Sequence, residues 1–135
     1  MTFTNKFLAL VLAAGFAVSM LQPAQAGNES RYEAFALNDG TFEVVAEFTE
    51  NAIYWCGASL FARTRLGQAT TQRIYVLQPP GPSRAKPGYR AVRFGLAPPA
   101  GAENVSSLTN SVGIVGNSLS VAQAYGGCSE RSSSG

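Results

Sequence analysis

Cys56 and Cys128 are the only cysteines in a chain of 135 residues that has no histidine. A thiolate can attack as a nucleophile, and two thiols can close a disulfide, so these residues are the first candidates for chemistry. The missing imidazole narrows what they can do. Cysteine acyl transfer needs a base beside the sulfur, and histidine is the side chain that titrates near neutral pH. Two thiols without an imidazole also fall short of a zinc site. Glu43 and Glu47 could serve as a carboxylate pair for glycoside chemistry. They fall on the polar side of an alternating strand pattern, however, where such residues are normally solvated. The sequence therefore predicts a protein that is not an enzyme, with no catalytic residue, no metal and no cofactor.

The two sulfurs suit a bridge. In an oxidising compartment paired cysteines become disulfides. A Cys56–Cys128 staple would close a loop of about 70 residues, with an upper-limit stabilisation of about 4.4 kcal/mol from chain entropy. A second reading starts from Trp55-Cys56-Gly57-Ala58-Ser59. This stretch resembles the active site of the thioredoxin family, with Ser59 where the second cysteine would stand. The resemblance implies a monothiol redox protein acting through Cys56.

A binding surface is the other expectation. The stretch 79–88 holds four prolines, which predict a stiff, exposed connection outside any helix or ladder. Arg84, Lys86, Tyr89 and Arg90 lie in or beside it. A stiff loop loses little entropy on docking, and guanidinium groups favour carboxylates and phosphates. The partner expected is an envelope protein or an anionic ligand. Charged residues make up 13% of the chain and the net charge is +2. That is too little clustered positive charge for a dedicated nucleic-acid binder. Asn28-Glu29-Ser30 and Asn104-Val105-Ser106 match the glycosylation acceptor pattern, which matters only in a eukaryotic secretory pathway.

These candidates need a scaffold. Residues 1–26 read as a signal peptide: Lys6, an apolar run from Phe7 to Leu21, then Ala24-Gln25-Ala26 for cleavage. The apolar run is too short to span a bilayer, which takes about 20 residues. Secretion to the periplasm or beyond is expected, with no membrane span after cleavage. Asn38-Asp39-Gly40 is a strong hairpin signal between strands at 31–37 and 41–49. A helix is predicted from Asn51 to Leu66, capped by Thr49 or Asn51 and ended by Gly67. Its apolar residues occupy most of its circumference, so it should be buried on more than one side. Strands follow at 73–77 and 90–96. The segment 104–129 carries no charge and predicts a last hairpin, with a helix over 104–115 left open.

The expected fold class is thus α+β: a small antiparallel sheet packed on one long helix, with a single disulfide. The domain should cover 27–129, with a flexible tail at 130–135. The predicted core is Phe42, Val44, Phe48, Trp55, Leu60, Val76, Val92, Phe94 and Leu96. Four stretches, Tyr54-Trp55-Cys56-Gly57-Ala58, Arg73-Ile74-Tyr75-Val76, Gly81-Pro82-Ser83 and Ala91-Val92-Arg93-Phe94, resemble a group of short uncharacterised exported proteins of alphaproteobacteria. That resemblance implies a periplasmic address and no particular activity.

Overall fold

A computed structural model describes residues 27–105 and 108–130. The expected signal peptide and the last five residues of the expected tail lie outside the described residues. The hairpin forms where the turn residues place it. Strand β1 is Glu33–Ala36 and β2 is Phe42–Val45, paired antiparallel with Ala34 opposite Val44. Gly40 takes φ +84°, a value open to glycine, and the Asp39 carboxylate accepts the Thr41 amide at 3.1 Å. After helix α1, Asn51–Thr64, come β3 (Arg73–Pro82), β4 (Arg90–Gly95) and β5 (Ser118–Ser120). The five strands form one antiparallel sheet in the order β1-β2-β4-β3-β5. The architecture is α+β, as expected.

One sheet face packs on α1. Phe42 and Val44 of β2, Val92 and Phe94 of β4, and Ile74 and Val76 of β3 are each fully buried. Phe42 stacks on Phe61 of α1 at 4.6 Å between ring centroids, and Trp55 tilts against Phe94 at 5.1 Å. Such aromatic pairs add about 0.5–1.5 kcal/mol each beyond the area they bury. The Trp55 indole donates to the Asn110 carbonyl at 2.6 Å, so its polar edge is satisfied. Gly57 lets the helix sit this close: a Cβ there would lie 2.6 Å from Val44 Cγ1 and 2.8 Å from the Tyr32 ring.

The opposite side of α1 is covered by the C-terminal segment. Helix α2, Val121–Tyr125, and the 3-10 turn Gly126–Cys128 pack on it, and Cys128 is bonded to Cys56 with 4.6 Å between the Cα atoms. Gly127 meets the first turn of α1, where a Cβ would lie 2.5 Å from the Ala52 carbonyl oxygen. Asn28 fastens the start of the described chain to this same segment. Its amide donates to the carbonyls of Gly127 at 2.7 Å and Glu130 at 2.9 Å. That side-chain nitrogen is buried and engaged, contrary to what a glycosylation acceptor requires.

Several expectations are corrected. The helix runs 14 residues and stops at Thr64, so it is not long; Gly67, at φ +65°, lies beyond its end. Neither Thr49 nor Asn51 caps it. Glu50 holds the N-cap position, and Asn51 Oδ1 instead accepts the Val112 amide at 3.1 Å. The prolines do not exclude a ladder. Pro79, Pro80 and Pro82 belong to β3, where the pairing with β4 slips between Val76 and Gln78 and again between Gln78 and Gly81. β5 pairs with Arg73–Tyr75, and Val76 exchanges backbone bonds with Asn117 and Gly116 just before β5; beyond Val76 β3 is an edge, where proline lacks no bond that a neighbour would need.

The expected C-terminal hairpin is absent among the described residues. Residues 104–105 and 108–117 are neither helix nor strand, and the chain turns into α2 directly after β5. Ser120 and Gln123 form the reciprocal capping box that starts this helix. Phe48, expected in the core, is 39% exposed under the Arg31 guanidinium, and Leu60 and Leu96 are half-buried.

Candidate functional site

The far face of the sheet carries a charged side chain where solvent was expected. Glu43 is only 3% exposed. Its carboxylate accepts the Ser83 hydroxyl at 2.8 Å, the Arg84 amide at 2.9 Å and the Ala85 amide at 3.0 Å. Arg93 lies opposite it across the β2–β4 ladder and donates to Gln78 Oε1. Burial acts to raise the Glu43 pKa. The Ala85 and Arg84 amides, the Ser83 hydroxyl and the nearby Arg93 charge together outweigh it and leave the carboxyl below the ordinary value. The Ser83 hydroxyl also accepts the Lys86 amide at 2.9 Å, and the Ser83 amide donates to the Tyr89 carbonyl at 2.8 Å. The β3–β4 loop is therefore folded around a buried anion.

This loop is one wall of a cleft of about 220 Å³. Lys86 and Tyr89 come from the loop, Arg31 and Glu33 from the start of β1, and Glu47 and Phe48 from the segment after β2. Two cation–aromatic contacts flank it: Arg31 over Phe48 at 4.3 Å and Lys86 over Tyr89 at 4.1 Å. Lys86 is ion-paired with Glu33, and that bond holds the ammonium above the usual lysine pKa. Tyr89 and Phe48 are 40% and 39% exposed, so each side chain is left partly uncovered.

Of the four loop residues singled out in the sequence, Lys86 and Tyr89 meet at this cleft. Arg84 turns away to Asp39 at 3.7 Å, and Arg90 donates to the Pro80 carbonyl at 3.3 Å. The sequence does not single out Arg31 and Glu33; it assigns Phe48 to the core, and it weighs Glu43, which lies beneath the loop, only as one of a solvated carboxylate pair. Nothing local in the sequence marks Glu43, because its partners lie about 40 positions away.

The sulfur site is closed. Cys56 is fully buried, Cys128 is 2% exposed, and the Ser59 hydroxyl donates to the Cys56 carbonyl at 2.9 Å. Neither cysteine is free, and the described residues contain no cluster of metal-ligating side chains. No helix among the described residues is long and apolar enough to cross a membrane.

A second depression, of about 230 Å³, lies on the helix side of β1. Tyr32 and Ala34 form one wall, and Leu60, Phe61, Thr64 and Arg65 of α1 and its end form the other. Comparison with protein families, curated proteins and solved structures finds no match to this chain.

Proposed function

We propose that this chain is a non-catalytic interaction module of the cell envelope, exported by its first 26 residues and binding a partner protein through the Lys86–Tyr89 cleft. The observation that carries the reading is the anchored loop. A buried carboxylate engaged by one hydroxyl and two amides holds Lys86 and Tyr89 in place before any partner arrives. Tyrosine and arginine are enriched among the side chains that carry most of the energy at protein interfaces, and holding them in place beforehand lowers the cost of binding. The sequence argument for export rests on the Ala24-Gln25-Ala26 cleavage pattern, and the disulfide suits an oxidising compartment.

A photo-crosslinking residue in place of Tyr89 tests the reading in the producing cell. A discrete adduct is expected from position 89 and none from the exposed control position Thr71. Equal or absent labelling at both positions would overturn it. The competing redox reading requires a thiolate at Cys56, which is bonded and buried. Iodoacetamide is accordingly expected to leave the folded protein unmodified until it is reduced and unfolded; rapid alkylation of Cys56 in the folded state would favour redox chemistry instead.

A further inference from the structure

We infer that the open edge of β1 is a strand-addition site, which binds an extended polypeptide segment carrying an apolar side chain next to an acidic one. The inference deepens the interaction-module reading and rests on it. β1 is an outer strand of the sheet, and its hydrogen bonding is settled by its neighbours. The Leu37 amide donates to the Thr41 carbonyl at 2.9 Å, which makes 37 and 41 a hydrogen-bonded pair; the alternation then assigns Phe35 and Glu33 to bonds with β2. The Ala46 amide donates to the Arg90 carbonyl, so the even residues of β2 face β4 and its odd residues face β1. Both observations leave the N–H and C=O groups of Ala34 and Ala36 directed away from the sheet. No backbone hydrogen bond to them is present among the described residues.

Sheet edges are commonly blunted by a bulge or a proline on the strand. β1 has neither: its pairing with β2 is regular, and its four residues are Glu-Ala-Phe-Ala, with the one charged side chain, Glu33, ion-paired to Lys86. Beside the edge lies the groove between β1 and α1. Ala34, Leu60 and Phe61 give it apolar walls, and Ala36, two residues further along the same face of β1, is exposed. A strand laid against β1 would turn every second side chain into that groove.

Charge decides what accompanies the apolar residue. Arg65, just past the end of α1, lines the groove and lies over the Phe61 ring at 5.4 Å. It forms no ion pair among the described residues. The negative end of the helix lies beside it, but it offers only partial charge. An acidic side chain on the added strand would pair with this cation, as guanidinium groups favour carboxylates.

The probe is a phage-displayed library of random dodecapeptides panned on the oxidised mature protein. The selected peptides are then measured by fluorescence anisotropy against the wild type and three variants. Ala36→Pro removes an outward N–H without removing a bond to β2. Arg65→Glu reverses a charge at the groove mouth, and Tyr89→Ala alters only the other cleft. Selected peptides are expected to combine an apolar and an acidic residue at strand spacing. Ala36→Pro should weaken them about tenfold, the loss of roughly one well-made hydrogen bond with some steric cost. Arg65→Glu should weaken them severalfold, and Tyr89→Ala should leave them unchanged.

Affinities that survive both Ala36→Pro and Arg65→Glu would overturn the inference. If those same peptides were lost on Tyr89→Ala, the cleft reading would stand without it. A library yielding no binder would also overturn the inference, and the crosslink at position 89 would judge the cleft independently. A wild-type dimer in light scattering that Ala36→Pro makes monomeric would assign the edge to a second copy and overturn the peptide. Should Ala36→Pro fail to fold, Arg65→Glu carries the test: unchanged affinity for acidic peptides would overturn it.

Discussion

Glu43 shows how one buried carboxylate can set the shape of a loop. Removing the carboxylate group leaves the Ser83 hydroxyl and the Arg84 and Ala85 amides without their acceptor, at a cost of about 1–3 kcal/mol. Glu43→Ala is therefore expected to lower the thermal midpoint at pH 7 by several degrees and to loosen the loop, read as faster amide exchange at Arg84 and Ala85. The pH dependence has a defined sign. A carboxyl whose folded pKa is depressed stabilises the protein above its unfolded value, about 4.3, and that contribution is lost as pH falls through the folded value. Thermal midpoints measured downward from pH 6 should fall more steeply for the wild type than for Glu43→Gln. Parallel curves would remove Glu43 from the acid response.

At the scale of elements, the contact of α1 with the sheet depends on a missing side chain. Gly57→Ala would gain up to about 1 kcal/mol of helix propensity. The added Cβ meets Val44 and Tyr32 at under 3 Å, and overpacking of this kind costs about 1–3 kcal/mol. Net destabilisation is expected in urea unfolding, together with a changed tryptophan signal from Trp55; an unchanged midpoint would mean that the helix shifts freely. The elements that sequence reading recovers are those specified within a few residues: the Asn-Asp-Gly hairpin and the helix with Gly67 just beyond its end. The length of β3 is not legible because proline is judged against a paired strand, and the absence of a neighbour beyond Val76 is a fact of topology. α2 was misread for a different reason. Ser120 and Gln123 carry a readable helix start, but the alternation of Leu119, Val121 and Gln123 drew attention to a strand instead. In the cleft, Lys86 and Tyr89 were legible as part of a proline-rich loop, whereas Arg31 and Phe48 join them only through pairing of β1 with β2.

At the scale of the whole molecule, the C-terminal segment holds the domain closed. A Cys56→Ser/Cys128→Ser variant is expected to lose about 2–4 kcal/mol of unfolding free energy in urea. The loss should be matched by reduction of the wild type; equal stability with and without the bridge would show that packing of α2 on α1 suffices. The contacts that cover α1 and engage Asn28 come from residues 121–130, and β5 at 118–120 completes the sheet beside β3. A chain made from its N-terminus onward thus cannot settle around its central helix while those residues are still inside the ribosome. Until they emerge, Cys56 has no partner and the Ala52 end of the helix is bare. Closure therefore cannot precede the appearance of residue 128, and any factor that shields the unfinished chain has to hold it at least until then.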